Sequence, residues 1–297
     1  MEKIASLSNF EEGSIRYPMT VVIATLGGTC LKSTIESLNK GSIIPEEILI
    51  CIPIEEAKKI EDINFPNVKT LLTQCKGQVA QRAIGFQNAS HKIVMQLDDD
   101  LQLDVNCINY LLKTLITNGP EVAVAPSLMN RATEKSFYKR QNRFLLLQRF
   151  CYWIINGKNG YQPGKIGKSG LAMGIDPEHE SKSLFEVEWI AGGCVLHYKK
   201  NLVLSNFYPF PGKAYCEDIL HSYHLGQSKI KLIVNSDAEC WLEPAIRDYG
   251  SLEFLRELRA DFRARKYAMT LFSRYSLRMY IYYIARYIYF LYLKVVM

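Results

Sequence analysis

The chain has 297 residues, 48% of them hydrophobic and 22% charged. That mix suits one large domain, or one domain with an extension, and excludes a disordered or low-complexity chain. The net charge of +6 is unevenly placed: from Arg247 onward ten Lys/Arg stand against four Asp/Glu, a difference of +6, so the first 246 residues balance at 26 against 26. A basic tail of this kind points to an anionic partner there. The eight cysteines (30, 51, 75, 107, 151, 194, 216 and 240) are scattered singly, without zinc-ligand spacing, which predicts buried, reduced thiols in a cytosolic protein. The first residues, MEKIASLSNFEEGS, carry early acids and no apolar run, so they do not read as a signal peptide.

Apolar runs then alternate with helical patterns. TVVIATLGG (20–28) is β-branched and stopped by paired glycines, the pattern of a buried strand. Leu31, Ile35 and Leu38 follow at helical spacing, up to the glycine stop at Lys40-Gly41. EEILICIP (46–53) and the segment 68–72 read as strands, 79–89 as a helix, and KIVMQL (92–97) as another strand. A helix over 106–117 and the strand VAVAP (122–126) complete the series. Strands alternating with helices predict a mostly parallel α/β sheet covered on both faces, with ligands beyond the carboxyl ends of its strands.

The second half is less regular. FLLLQRFCYWII lies in a stretch, 138–156, that is apolar almost all round, as in a buried or surface-docking helix, and its aromatic cluster at 150–153 reads as core. GKNGYQPGKIGKSG (157–170) is a long Gly- and Lys-rich loop, either an active-site cover or disordered. VEWIAGGCVLHY (187–198), the loop NFYPFPGKAY and CEDILHSYHL (216–225) follow.

Two acidic sites carry the chemistry. Asp98, Asp99 and Asp100 stand directly behind the apolar run Ile93 to Leu97. An Asp-x-Asp at a strand end presents carboxylates to one side, which suits a hard divalent cation on a diphosphate; a solvated acidic turn or helix cap is the other reading. Glu217-Asp218 opens a helical pattern about 120 residues later. There a carboxylate either complements the helix dipole or serves as general base toward an acceptor hydroxyl. Other motifs lead nowhere. GKS (167–169) lacks the glycine of a phosphate-binding loop, since position 162 is Gln; LGGT (26–29) continues as Cys30-Leu31-Lys32, unlike the nucleotidyltransferase turn; and His221 with His224 lacks a third ligand nearby.

Taken together, these stretches resemble the family 2 glycosyltransferases of the GT-A fold, from about Met19 to Pro244. The resemblance is carried by VVIATLGG, PEEILI, Gln81-Arg82-Ala83-Ile84-Gly85, IVMQLDDD, WIAGGCVLHYKK and CEDILHSYHLGQSKIKLI. It implies a Rossmann-like, mostly parallel sheet flanked by helices over 17–246, after a lead of residues 1–16. It further implies that Thr25, Arg82, Asp98 and Asp99 bind the nucleotide-sugar, that Asp100 and Asp98 hold Mn²⁺ or Mg²⁺, and that Gly192 and Gly193 admit donor and acceptor. Asp218 would be the base, oriented by Glu217, and direct displacement would invert the anomeric carbon. The chain departs from the family at Cys51-Ile52-Pro53, where a base-reading Asp is common. It also departs at DAECWLEP (237–244), which lacks the late metal-binding histidine and leaves Glu239, Glu243 or water to serve. The Gln-x-x-Arg-Trp signature of processive synthases is missing, which favours single-sugar transfer. An inactive sugar- or lipid-binding module on the same fold, or a sugar nucleotidyltransferase, is the alternative.

The tail, 247–297, reads as a basic, tyrosine-rich helical extension. Ser251 is placed as the cap of one helical pattern, and 277–297 is long enough to span a bilayer. Its charged Arg286 and its six tyrosines favour a helix lying in the membrane interface, with packing on the domain as the other reading. The expected setting is the cytoplasmic face of an inner membrane, peripheral or monotopic. By analogy with bacterial O-antigen and capsule assembly, the partners would be a nucleotide-sugar donor and a lipid-linked or oligosaccharide acceptor, with no nucleic acid.

Overall fold

The computed structural model describes residues 14–139, 145–157, 160–243, 250–274 and 277–296. The first half forms as its apolar periodicity dictates. Strand β1 (Ile15–Ala24) is followed by α1 (Leu31–Asn39), β2 (Ile43–Pro53), β3 (Val68–Thr73), α2 (Gln78–Asn88) and β4 (Ile93–Leu97). The four strands run parallel in the order β3-β2-β1-β4. Both faces of the two central strands are covered, which is why their sequences are continuously apolar rather than alternating. Ile23, Ile50 and Leu97 pack with Leu31, Ile35 and Leu38 of α1 on one side. Val22, Leu49 and Val94 pack with Phe86 of α2 on the other.

Beyond β4 the order changes. The short β5 (Leu101–Leu103) leads to α3 (Cys107–Asn118), β6 (Val122–Asn130) and β7 (Lys135–Ser136). Then come α4 (Leu145–Asn156), β8 (Leu184–Val187), β9 (Cys194–Tyr198), α5 (Glu217–Gln227) and β10 (Lys231–Leu242). The sheet runs β3-β2-β1-β4-β9-β6-β10-β5, with β9 antiparallel to both β4 and β6. The parallel expectation therefore describes the leading half, and the second half is mixed. In β10 the pairing with β6 shifts register between Asn235 and Glu239, so its end bends back to pair with β5 beside the acidic triplet.

Two long helices close the fold, α6 (Ser251–Leu271) and α7 (Leu277–Val296). Ser251 is the first residue of α6, with Gly250 in the cap position. Met279, Tyr283 and Phe290 of α7 are buried, and the Phe254 and Phe290 rings stack at 3.8 Å. Arg286, which would oppose membrane insertion, instead pairs with the buried Asp261 of α6. One face of α7 is thus a packing face. The opposite face exposes Leu277, Ile281, Ile284, Ile288 and Leu291. No helix among the described residues is long and apolar enough to cross a membrane.

Two sequence expectations do not hold in the fold. Phe150 and Trp153 are 55% and 51% exposed rather than core, and their rings stack on the surface of α4. Of the cysteines, 51, 107, 194 and 240 are buried, but Cys151 is exposed on the same helix. Both misreadings have one cause: a helix that is apolar all round has no polar face to mark which side meets solvent.

Candidate active site

The carboxyl end of β4, the glycine loop before β9 and the start of α5 converge on one cavity of about 330 Å³, lined by Asp98, Asp100, Gly192, Gly193, Glu217 and Asp218 among others, while Thr25, Arg82 and Asp99 are not among its lining residues. Two acidic stretches separated by more than a hundred residues of sequence thus face the same space.

The mutual repulsion of the triplet is relieved by giving each carboxylate a different environment. Asp99 turns under β1, where the Thr25 hydroxyl donates to its carboxylate and the Thr34 hydroxyl to its carbonyl, 3.0 Å away. Burial raises its pKa, with the Thr25 hydrogen bond opposing and the Asp98 charge adding to the rise. Asp98 is half-buried and accepts from Gln78 at 2.8 Å and from the Arg82 guanidinium. Its own backbone N–H donates to the Gly193 carbonyl at 2.7 Å, which fixes the strand end against the glycine loop. Asp100 is exposed at the cavity mouth.

Arg82 lies deeper than the sequence reading places it. It is 2% exposed, and besides Asp98 it donates to Glu217 at 2.8 Å. The guanidinium therefore bridges the two acidic sites from behind rather than facing the cavity. A buried cation between two carboxylates is sustained because its desolvation is offset on two sides. Arg82 in turn satisfies Glu217, itself 7% exposed.

Gly192 and Gly193 also prove to be packing requirements. A Cβ on Gly192 would sit 2.7 Å from Glu217 Oε2, and one on Gly193 would sit 2.8 Å from Leu101 and 3.2 Å from Asp98. The side chain of Gln96 on β4 holds this turn through the Gly192 carbonyl. The glycines let the loop lie directly on the acids.

Asp218 is half-buried at the first turn of α5. Burial and the neighbouring Glu217 charge raise its pKa to about 6, although its carboxylate accepts the Ile219 N–H at 2.8 Å. Such a group is ionised at neutral pH and basic enough to take a proton. The turn before it is strained: Cys216 has φ of 56° in the left-handed region, unusual for a residue with a side chain. The Cys216 thiol is anchored to Asp261 of α6 at 3.2 Å. Asp261 also accepts from Tyr283 at 2.9 Å and from Arg265 at 3.1 Å, so both C-terminal helices brace the entrance to α5.

Several of these residues escaped the sequence reading. Gln78 carries a signal in hindsight, because Gln78, Gln81 and Arg82 share one face of α2 at i, i+3 and i+4. Tyr138, which lines the cavity beside Asp218, carries none, and the i, i+4 pair Asp261–Arg265 reads only as a local helix pair, since the tertiary fold alone brings both to the start of α5. His221 is buried, its ring 5.5 Å from His197 and 5.7 Å from Phe207, so it packs. Glu239 lies near Asp104, whose N–H donates to the Glu239 carbonyl at 3.1 Å. No cluster of three or more His, Cys, Asp or Glu among the described residues has metal-holding geometry. Asp98 and Asp100 on one cavity nonetheless fit a hard cation that takes its remaining oxygens from a diphosphate and water, the usual arrangement for Mg²⁺-type sites.

Residues 53–175 match the family described as Glycosyl transferase family 2. Among solved structures, GalNAc-T7 with UDP, GalNAc and Mn²⁺ aligns over 83% of this chain at 18% identity and a TM-score of 0.56. TarS (residues 1–349) of S. aureus, in complex with UDP-GlcNAc, aligns over 92% of this chain and 72% of its own, at 11% identity and a TM-score of 0.51. The chain spans 47% of the GalNAc-T7 length. No curated protein sequence matches it. The fold is that of the GT-A glycosyltransferases. Within that fold, the match to the family 2 glycosyltransferase model covers residues 53–175.

Proposed function

We propose that this chain transfers a single sugar from a nucleoside-diphosphate donor to a hydroxyl of a lipid-linked saccharide, with inversion at the anomeric carbon. The observation that carries the reading is that Asp98 and Asp100 share one cavity with Asp218. Asp98 and Asp100 would hold Mn²⁺ or Mg²⁺, which when bound supplies Lewis-acid stabilisation of charge on the departing diphosphate. Asp218 takes the proton of the acceptor hydroxyl as that oxygen attacks the anomeric carbon. Glu217 and Arg82 hold the helix start and the strand end at a fixed separation, and Thr25 with Asp99, beside that cavity rather than in its lining, would meet the nucleotide part of the donor. The UDP, GalNAc and Mn²⁺ bound by GalNAc-T7, and the UDP-GlcNAc bound by TarS, support a nucleotide-sugar donor.

We read residues 17–246 as the transferase unit and 247–297 as a helical extension that meets a membrane surface. The setting consistent with that reading is surface polysaccharide assembly at the cytoplasmic face of an inner membrane. A thermal-shift screen of nucleotide sugars, each with and without Mn²⁺, tests the donor class. Stabilisation by one donor that needs the metal supports the proposal, and a flat response to every donor would refute it.

A further inference from the structure

A second cavity, of about 490 Å³, lies apart from the acidic one, between the end of α4 and the turn from α6 to α7. The Gly- and Lys-rich loop supplies Lys165 and Lys168 to it, and Arg274 enters from the helix turn. Against these three cations stands one carboxylate, Glu188, which Arg274 grips with two nitrogens at 2.8 and 3.2 Å and Lys165 approaches at 3.6 Å. Arg274 also donates to the Ile166 carbonyl at 3.1 Å, so the loop and the helix turn are held together around the cavity. The excess of two positive charges in a concave, polar site favours an anion carrying several oxygens.

The rim of this cavity is where two exposed apolar faces meet. Asn156, the last residue of α4, lines it, and Arg274 lies just before the start of α7. Arg278 donates to the Trp153 carbonyl at 2.8 Å and to that of Ile154, which ties the end of α4 to the beginning of α7. From that junction α4 carries Leu146, Phe150 and Trp153 at i, i+4 and i+7, all exposed. Along α7, Leu277, Ile281, Ile284, Ile288 and Leu291 form a matching exposed stripe. Apolar surface of this extent is not left to water without a partner. A polar anion site at the head of a paired apolar stripe has the layout of an amphiphile.

We propose that the Lys165–Lys168–Arg274 cavity binds the phosphate or diphosphate headgroup of a membrane lipid, while the α4 and α7 stripes lie in the acyl boundary of the same bilayer. Charge complementarity selects the occupant: the cavity gathers Lys165, Lys168 and Arg274 against the single carboxylate of Glu188, and the segment from Arg247 onward, which supplies Arg274 and α7, carries the net positive charge of the chain. The proposal gives the lipid-linked acceptor read above a docking place and rests on that reading, but lipid binding needs neither donor nor sugar transfer.

Flotation of the full chain with phosphatidylcholine vesicles, with or without phosphatidic acid, tests it. The wild-type chain is expected to float with the phosphatidic acid vesicles far more than with pure phosphatidylcholine. The pair Lys165→Ala and Lys168→Ala should weaken that partitioning about 30-fold, each basic residue at an anionic surface being worth roughly fivefold. Ile284→Asn with Ile288→Asn should remove vesicle binding while leaving the thermal melting curve of the exposed-face variant near wild type. Lysine variants that float as wild type overturn the proposal. So does inorganic diphosphate that stabilises the chain without any vesicle binding, which would mark a soluble phosphate site. Stripe variants that only convert a dimer to a monomer overturn it too, by making the face a subunit contact. Loss of transfer in Asp100→Ala with vesicle binding intact separates failure of the catalytic reading from failure of this one.

Discussion

Arg82 of α2 and Glu217 of α5 stand 135 positions apart and meet at 2.8 Å, with the other arm of the same guanidinium on Asp98. One buried cation therefore holds both acidic sites. Replacing Arg82 by Ala strands a buried carboxylate, which typically costs about 3–5 kcal/mol. Urea unfolding should show a loss of that order together with loss of transfer. Arg82→Lys keeps the charge but not the two-armed fork, so it should recover stability only in part. An Arg82→Ala chain as stable as wild type would remove the bridge from the account of the site.

The Asp218 carboxyl is the pH-sensitive group of the site. If it takes the acceptor proton, kcat/KM should fall about tenfold per pH unit below the pKa of about 6 and level off above it. The sign for stability is opposite. Because the folded pKa is raised above the ordinary 3.8, this group favours the fold most below 3.8 and loses that contribution as pH rises through about 6. Asp218→Asn should therefore slow transfer by about 10²–10⁴-fold while leaving the protein as stable as wild type, or more so, above pH 6. A calorimetric scan on either side of that pH checks it.

Gly192→Ala places a methyl group 2.7 Å from Glu217 Oε2. The carboxylate end can swing, but only by loosening its bond to Arg82. We expect a modest stability loss, about 1–3 kcal/mol for such overpacking, with a larger fall in kcat than change in KM. A rise in KM alone would mean the loop touches substrate rather than positions the acids.

His221 is held neutral, its pKa lowered by burial and by the nearby Arg82 to about 3. A depressed histidine contributes stability that is complete above its ordinary 6.5 and is lost as pH falls toward about 3. Neither of its ring nitrogens has a hydrogen-bond partner among the described residues. His221→Phe, stacking on Phe207, should flatten the acid side of the melting-temperature profile. An unchanged profile would place the acid sensitivity elsewhere, with the equally buried His197 the first candidate.

The leading half of the fold was legible because its inner strands, β1, β2 and β4, are buried on both faces along most of their length and its helices on one, so periodicity and burial agree. β1 and β4 end beside Thr25 and Asp98, where the apolar runs stop. The turn of β9 back between β4 and β6 was not legible, since an antiparallel return and a parallel strand have the same composition. Asp98, Asp100 and Asp218 were nameable from their places after a strand and at a helix start. Their division of labour was not, because what separates them is burial: Arg82 sits behind the site, Asp99 beneath β1, and the glycines against the acids. The C-terminal helices illustrate the same limit. Arg286 reads as an obstacle to insertion until Asp261, 25 positions earlier, is found beside it.

Whether the strand-end pair and the helix-start acid serve one reaction in separate roles is best measured by comparing donor binding with sugar transfer in two variants. Asp100→Ala should lose both Mn²⁺-dependent donor binding and transfer. Asp218→Asn should bind the donor as wild type does, yet transfer sugar about 10²–10⁴-fold more slowly, the range a general base contributes. Near-wild-type transfer by either variant would contradict the assignment.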